Sequence, residues 1–184
     1  MFIYLASQSP RRRELLEQIG VDYKTLNVNV EEQRHDNELP TEYVQRLSYD
    51  KANAGSALKQ DFPVLGADTI VVLNDQVLEK PSSEQDAINM LLRLSGNTHS
   101  VMTAITMMMG DRIETRMNVT SVRFRPISEA EALEYWQTGE PKDKAGGYGI
   151  QGKAAIFVEE IQGSYSSVVG LPLFETAQLI NDFR

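Results

Sequence analysis

The sequence contains no cysteine in its 184 residues. A disulfide framework, a thiolate nucleophile and a zinc–thiolate site are therefore excluded, because each requires the sulfur of cysteine. The glycine-rich P-loop motif is also missing, so the chain is not a Walker-type nucleotide hydrolase. Any catalytic chemistry has to use oxygen and nitrogen groups.

Basic residues are fewer than acidic ones. The chain has 18 Lys and Arg and 26 Asp and Glu, which give a net charge of -8. A surface of that sign repels the phosphate backbone of nucleic acid, so we expect no DNA or RNA partner. A small polyphosphate can still bind where a few arginines and lysines gather, because a local field can oppose the net charge.

Long hydrophobic runs are absent as well. The most apolar stretch, residues 101–109, is short and is interrupted by Thr103 and Thr106, so no membrane partner is expected. The first residues lack the basic leader of a signal peptide, which predicts a cytoplasmic location. Hydrophobic residues make up 41% of the chain and charged residues 24%, as in ordinary globular proteins. The length predicts one domain over residues 1–184.

Hydrophobic periodicity and turn signals predict strands and helices that alternate along the chain. Strands are predicted at residues 2–6, 22–28, 63–73, 76–79, 99–109, 112–125, 155–161 and 165–169. Helices are predicted at residues 10–20, 41–58, 83–95, 128–138 and 173–183. Hairpins at residues 74–75 and 110–111 interrupt the alternation. The expected fold is therefore mixed α/β, with a central mixed sheet flanked by helices.

A strand end, a serine-rich turn and a helix start coincide at residues 7–13, Ser-Gln-Ser-Pro-Arg-Arg-Arg. Free backbone N–H groups and the positive end of the helix dipole favour phosphate at such a place. Ser7, Arg11 and Arg12 add side-chain donors, and the arginines can make bidentate contacts. The alternative is a plain helix cap at Ser9 beside solvated arginines.

Asp68 lies inside the apolar strand predicted at residues 63–73. A carboxylate there is costly unless it is paired, protonated or bound to a metal, so a catalytic role and a purely structural ion pair both remain open. Lys51 falls close to the apolar face of its helix and can reach into a cleft. Lys80 follows the paired hairpin strand, either near Asp68 or as an exposed edge lysine.

Two loops carry further candidates. Glu31 and Glu32 offer the hard oxygen ligands that magnesium or manganese prefers, although an acidic loop is more often just solvated. Residues 142–152 contain four glycines around Gln151, whose amide both donates and accepts hydrogen bonds, as the imide edge of a pyrimidine requires. The alternative for this loop is a flexible linker.

Six blocks of the sequence, in order and spacing, resemble the Maf family of nucleotide pyrophosphatases along nearly the whole chain. The blocks are residues 5–16, 31–32, 51–52, 66–69, 79–81 and 149–152, and Val-Gly-Leu-Pro at 169–172 follows them. Within the family, the combination of Thr69 and Gln151 resembles the branch that acts on dTTP and UTP. A second branch acts on methylated GTP.

The resemblance implies a fold similar to that of inosine-triphosphate pyrophosphatases, with two lobes around a cleft, and a homodimer. It implies hydrolysis of nucleoside triphosphates to the monophosphate and pyrophosphate with a divalent metal, Mg²⁺ or Mn²⁺. Asp68 would be the general base that activates water, and Glu32, with Asp68, would hold the metal. The triphosphate would be held by Ser7, Arg11, Arg12, Lys51 and Lys80, and base selectivity would depend on Thr69 and Gln151 with Arg11.

Two alternatives remain at this stage. The same fold can act on a purine or modified triphosphate by unchanged chemistry. A nucleotide-binding regulator of cell division with little turnover is the alternative from another class, and it would not need a water-activating Asp68.

Overall fold

The computed structural model describes residues 1–59 and 61–184 and has a mixed α/β fold. Over those residues, seven strands form one mixed sheet in the order β2-β1-β3-β5-β6-β7, with β4 beside β3. The strands are β1 (Ile3–Ala6), β2 (Tyr23–Thr25), β3 (Val64–Leu73), β4 (Gln76–Leu78), β5 (Thr98–Met109), β6 (Arg112–Phe124) and β7 (Val158–Gln162). Strand β1 runs parallel to β2 and β3, whereas β4 is antiparallel to β3 and β7 to β6.

Six α-helices accompany the sheet within the described part of the chain. They are α1 (Pro10–Gln18), α2 (Pro40–Leu58), α3 (Glu84–Leu94), α4 (Glu129–Gln137), α5 (Tyr165–Val169) and α6 (Leu173–Asp182). Their arrangement with the strands confirms the predicted α/β class. Among the described residues, no helix combines the length and the apolar character that a membrane crossing needs.

The chain divides into two compact units. The first contains residues 1–69, 103–118 and 170–184, and the second contains residues 70–102 and 119–169. The first unit therefore includes β1, β2 and helices α1, α2 and α6, and the second includes β4, β7 and helices α3, α4 and α5.

Local sequence explains where the helices of the first unit begin and end. Pro10 opens α1 after Ser9, and Gly20 lies beyond its end with φ +68°, a left-handed conformation that glycine adopts without strain. Pro40 likewise opens α2, where the Glu42 carboxylate accepts a hydrogen bond from the Leu39 N–H at 3.0 Å.

Close packing between α2 and β3 is set by a glycine. A Cβ atom on Gly66 would lie 2.3 Å from the carbonyl oxygen of Ser48 and 2.5 Å from the backbone nitrogen of Ala52. No side chain fits between the strand and the helix at this point. The residues that flank the contact, Lys51 on α2 and Asp68 on β3, are both buried.

Two strand predictions near the carboxyl end need correction. The predicted strand at 155–161 begins only at Val158, since residues 153–157 form a 3₁₀ helix. The predicted strand at 165–169 is wrong, because these residues form helix α5. Ser164 accepts from the Ser167 N–H through its hydroxyl and from the Val168 N–H through its carbonyl. This helix cap overrides the strand preference of the two valines.

The glycine-rich segment at residues 142–152 is predicted to be a loop, but the structure has short 3₁₀ helices there. Short 3₁₀ helices cover Glu140–Asp143 and Ala145–Gly147. Gly146 has φ +69° and packs against Val71, to which an added Cβ would come within 2.9 Å. The glycines therefore serve close packing within the second unit, and the segment is not a flexible linker.

Candidate active site

Arg12 joins three separate segments of the first unit. Its Nε donates to the carbonyl oxygen of Gly170 at 2.8 Å, its Nη1 to Ser7 Oγ at 3.1 Å and its Nη2 to Thr69 Oγ1 at 3.3 Å. Ser7 directly follows β1, Thr69 lies on β3, and Gly170 precedes α6. The guanidinium is therefore held in one orientation by acceptors on three of its nitrogens.

Burial and the nearby carboxylate act in opposite directions on the pKa of Arg12. Burial lowers the pKa of the Arg12 guanidinium, and the neighbouring Asp68 carboxylate opposes that change. A guanidinium stays protonated in proteins. The first unit thus contains a fixed positive charge at the start of α1, where the helix dipole also favours an anion.

Lys51 lies between two carboxylates. Its ammonium nitrogen is 2.6 Å from Asp68 Oδ1 and 2.6 Å from Glu32 Oε1. The Lys51 and Asp68 side chains are 11% and 9% exposed, whereas the Glu32 side chain is 38% exposed. The cluster therefore has a buried side formed by Asp68 and an open side formed by Glu32.

Asp68 is a carboxylate in an apolar strand, and its surroundings change its acidity. Burial raises the pKa of Asp68 above its ordinary value, and the charges of Lys51 and Arg12 lower it to a smaller extent. A carboxyl group whose pKa is raised accepts a proton more readily than an ordinary aspartate. The structure thus places a group suited to proton acceptance beside two cations.

Glu32 belongs to a segment without helix or strand, yet contacts with α2 hold this segment. The Tyr43 hydroxyl donates to the carbonyl oxygen of Glu32 at 3.2 Å. Arg46 donates to the carbonyl of Gln33 and is paired with the Glu38 carboxylate at 2.6 Å. Bonding to Arg46 lowers the pKa of Glu38 to about 2, so the pair stays ionised at neutral pH.

Sequence reasoning missed two partners of the site. Thr103 is completely buried on β5, and its hydroxyl lies 2.9 Å from Thr69 Oγ1. Gly170 supplies a backbone carbonyl to Arg12 and has φ +132°. A threonine in an apolar strand was a visible signal for a buried hydrogen bond, whereas no side-chain chemistry marks Gly170 as an acceptor.

The structure gathers six of the predicted site residues in the first unit, which also contains the partly buried Arg11. They are Ser7, Arg12, Glu32, Lys51, Asp68 and Thr69. Lys80 and Gln151 belong to the second unit, where Lys80 is exposed after β4 and Gln151 is exposed in a turn before the 3₁₀ helix at Lys153–Phe157.

The carboxylate oxygens of Glu32 and Asp68 are ligands of the type that a divalent metal prefers. Their oxygens both lie 2.6 Å from the Lys51 ammonium nitrogen, so the cation that the two carboxylates share is the side chain of Lys51. No cluster of three or more His, Cys, Asp or Glu suited to a metal occurs in the described residues. Two carboxylates without a full protein cage are what magnesium uses when substrate phosphates complete its coordination.

The sequence of the chain matches a known protein family over nearly its whole length. A sequence model of the Maf-like protein family matches residues 2–183. The dTTP/UTP pyrophosphatase of Saccharophagus degradans is 60% identical over 99% of this chain and 89% of its own length. The enzymes of the same name from Photorhabdus laumondii and Alkalilimnicola ehrlichii are 55% and 51% identical, over 98% and 99% of this chain and 93% of each relative.

Proposed function

Since the chain belongs to the family of Maf-like proteins, we propose that it hydrolyses dTTP and UTP to the monophosphate and pyrophosphate. The relatives that carry this activity in their names cover almost the whole chain at 51–60% identity.

The buried Lys51–Asp68 pair is the observation that carries the proposal. A carboxylate in an apolar strand, with a raised pKa and a cation 2.6 Å away, suits a general base. In the proposed step, Asp68 takes a proton from a water molecule whose oxygen attacks the α-phosphorus. The bond from the α-phosphorus to the bridging oxygen breaks, and pyrophosphate leaves with the electron pair of that bond.

The cations of the site suit the triphosphate. Arg12 is fixed by Ser7, Thr69 and Gly170, so its orientation costs little further ordering when an anion binds. Ser7, Arg11, Lys51 and Lys80 are assigned to the same task. Positive groups that are already in place stabilise the charge that develops as pyrophosphate leaves.

Glu32 and Asp68 are the proposed ligands of a divalent cation, Mg²⁺ or Mn²⁺. Such a cation supplies Lewis-acid polarisation of the phosphoryl oxygens and neutralises part of their charge. Lys51 contacts both carboxylates and keeps them close together before substrate arrives. Thr69 and Gln151, together with Arg11, are assigned to selection of the base.

Three coarser expectations accompany this assignment. The family match over residues 2–183 supports a single Maf-like domain that contains both compact units. A homodimer and a cytoplasmic location are proposed from the family resemblance. The partner that the site chemistry favours is a small-molecule nucleoside triphosphate.

The decisive experiment measures pyrophosphate release from canonical and modified triphosphates with Mg²⁺ or Mn²⁺. Wild-type protein is compared with Asp68→Asn and with the control Asp111→Asn, which changes an exposed aspartate in the β5–β6 turn. We expect dTTP and UTP to be cleaved fastest and Asp68→Asn to lose at least about 10²-fold in rate while it keeps its fold.

Three other outcomes would change the assignment of base, substrate or activity. Wild-type-like turnover by a folded Asp68→Asn protein contradicts the general-base role. Preference for a purine or modified triphosphate corrects the substrate and leaves the reaction in place. Tight nucleotide binding without pyrophosphate release, from folded protein across the whole panel, replaces the enzyme with a nucleotide-binding regulator.

A further inference from the structure

The segment that carries Gln151 is bound to the protein at both of its ends. The backbone N–H of Gly149 donates to the Tyr135 hydroxyl at 3.0 Å. The N–H of Lys153 donates to the carboxylate of Glu140, at 3.0 Å to one oxygen and 3.3 Å to the other. Two side chains from outside the segment therefore satisfy the backbone donors that flank Gln151.

Two glycines make room for this arrangement. A Cβ atom on Gly152 would lie 2.1 Å from an oxygen of Glu140, and one on Gly149 would lie 2.6 Å from Cε of Lys144. Lys144 in turn donates to the backbone carbonyl of Glu140 at 2.7 Å. The glycine spacing that first suggested a ligand loop therefore also permits two side chains to contact the backbone directly.

The anchoring side chains are themselves fixed. Tyr135 lies on α4, is 3% exposed, and its ring meets that of Phe157 edge-on at 5.5 Å. Burial raises the pKa of the Tyr135 phenol, and the nearby Glu140 carboxylate adds to the rise. The phenol therefore stays protonated, and its oxygen remains available to the Gly149 N–H.

Burial alternates sharply along the anchored segment. Tyr148 and Ile150 are buried, whereas Gln151 between Ile150 and Gly152 is exposed. The Tyr148 hydroxyl lies 2.7 Å from Nε2 of His99, which fixes that side chain as well. The segment thus presents the exposed amide of Gln151 on a backbone that is anchored at both ends and beside the buried Tyr148.

We propose that Tyr135 and Glu140 are positioning residues that hold Gln151 for selection of the base, so that they determine which triphosphate is preferred without touching it. This inference rests on the proposed function, in which Gln151 reads the base. An amide that both donates and accepts discriminates between bases only if its orientation is fixed, because a mobile side chain can turn either its donor or its acceptor towards whichever base is present. Fixing the backbone on both sides removes the backbone part of that freedom.

The test uses matched variants of the two anchors. Tyr135→Phe removes one hydroxyl and keeps the ring, and Glu140→Ala removes the carboxylate. Glu140→Gln is the conservative variant, because its amide oxygen still accepts from the Lys153 N–H. The controls are Tyr165→Phe, which removes the hydroxyl of a tyrosine that is 51% exposed, and Glu134→Ala on the exposed face of α4.

The measured quantity is the ratio of kcat/KM for dTTP and UTP to kcat/KM for CTP and GTP. In Tyr135→Phe and Glu140→Ala we expect this ratio to fall by about threefold to tenfold, the equivalent of one hydrogen bond, while kcat on dTTP changes by less than about twofold. Glu140→Gln and both controls should keep the wild-type ratio. Amide hydrogen exchange should accelerate at Gly149 in the first variant and at Lys153 in the second.

Different results would overturn the enzyme assignment and the positioning role of Tyr135 and Glu140. If wild-type protein releases no pyrophosphate from any triphosphate, the proposed function fails. If wild-type protein is selective but Gln151→Ala keeps the same ratio, or if the anchor variants keep it despite faster amide exchange, the positioning role is wrong and the enzyme assignment stands. An equal loss of kcat/KM on every substrate also overturns it, since that result shows a merely structural role.

Discussion

The ammonium nitrogen of Lys51 lies 2.6 Å from Oδ1 of Asp68, and both side chains are buried. Removing one member of such a pair leaves the other charge without compensation. We expect Lys51→Met to lower the free energy of unfolding by about 3 kcal/mol, measured by urea denaturation at neutral pH. The same substitution in an Asp68→Asn background should cost at least about 1 kcal/mol less. Strictly additive losses would show that the two charges are not coupled.

Arg12→Lys tests whether the geometry of the guanidinium matters beyond its charge. A lysine cannot reach Ser7, Thr69 and Gly170 at once, so the positive charge loses its fixed orientation. We expect KM for dTTP to rise by about tenfold to a hundredfold. Arg13→Lys, an exposed change on the same helix, is the control. An unchanged KM in Arg12→Lys would mean that charge alone suffices.

Gly66→Ala tests the close approach of β3 to α2. The added Cβ would meet backbone atoms of Ser48 and Ala52 at 2.3 and 2.5 Å, which a rotamer change cannot relieve. We expect a loss of about 3 kcal/mol in unfolding free energy, together with a fall in activity, because the strand carries Asp68.

Gly20→Ala is the matched control for this substitution. Its position has φ +68° with nothing within 4 Å, so only backbone strain of about 1 kcal/mol is expected, with activity retained. Thermal and urea unfolding compare the two variants. Equal losses in both would show that β3 and α2 have room to separate.

His99 makes the stability of the protein depend on pH. Burial lowers its pKa to about 4, whereas an unfolded histidine titrates near its ordinary value of 6.5. Between those values the unfolded chain binds the proton and the folded protein does not, so stability falls as pH decreases from 6.5 to 4. The shift corresponds to about 3 kcal/mol. Relative to His99→Gln, wild-type protein should lose this much stability over that interval, and parallel pH profiles would contradict the assignment.

Much of the fold was predictable because local signals agree with it. Alternating strands and helices, the turn at Asn74 and Asp75, and the caps at Ser83 and Ser128 were each visible as short-range patterns. The error at residues 165–169 arose because they were interpreted as the second of a pair of strands around Gly163. The competing signal was Ser164, whose cap starts a helix. Short segments contain too few residues for periodicity to decide.

The site was predictable in its residues but not in its contacts. Asp68 was conspicuous because an acid in an apolar strand needs a partner, and Lys51 is that partner. Nothing local indicated that Glu32 meets the same ammonium, since its segment has no regular structure to fix its direction. The acceptor role of Gly170 was equally hidden, because a backbone carbonyl is common to every residue.

The hydrogen bond between Arg12 and Gly170 joins two residues that are synthesised at very different times. Its two ends are 158 residues apart in the chain. Synthesis starts at the amino end, so a growing chain already has Arg12, Lys51 and Asp68 long before the carbonyl that orients the guanidinium exists. The three hydrogen bonds that hold the Arg12 guanidinium are therefore complete only after residue 170 has been synthesised.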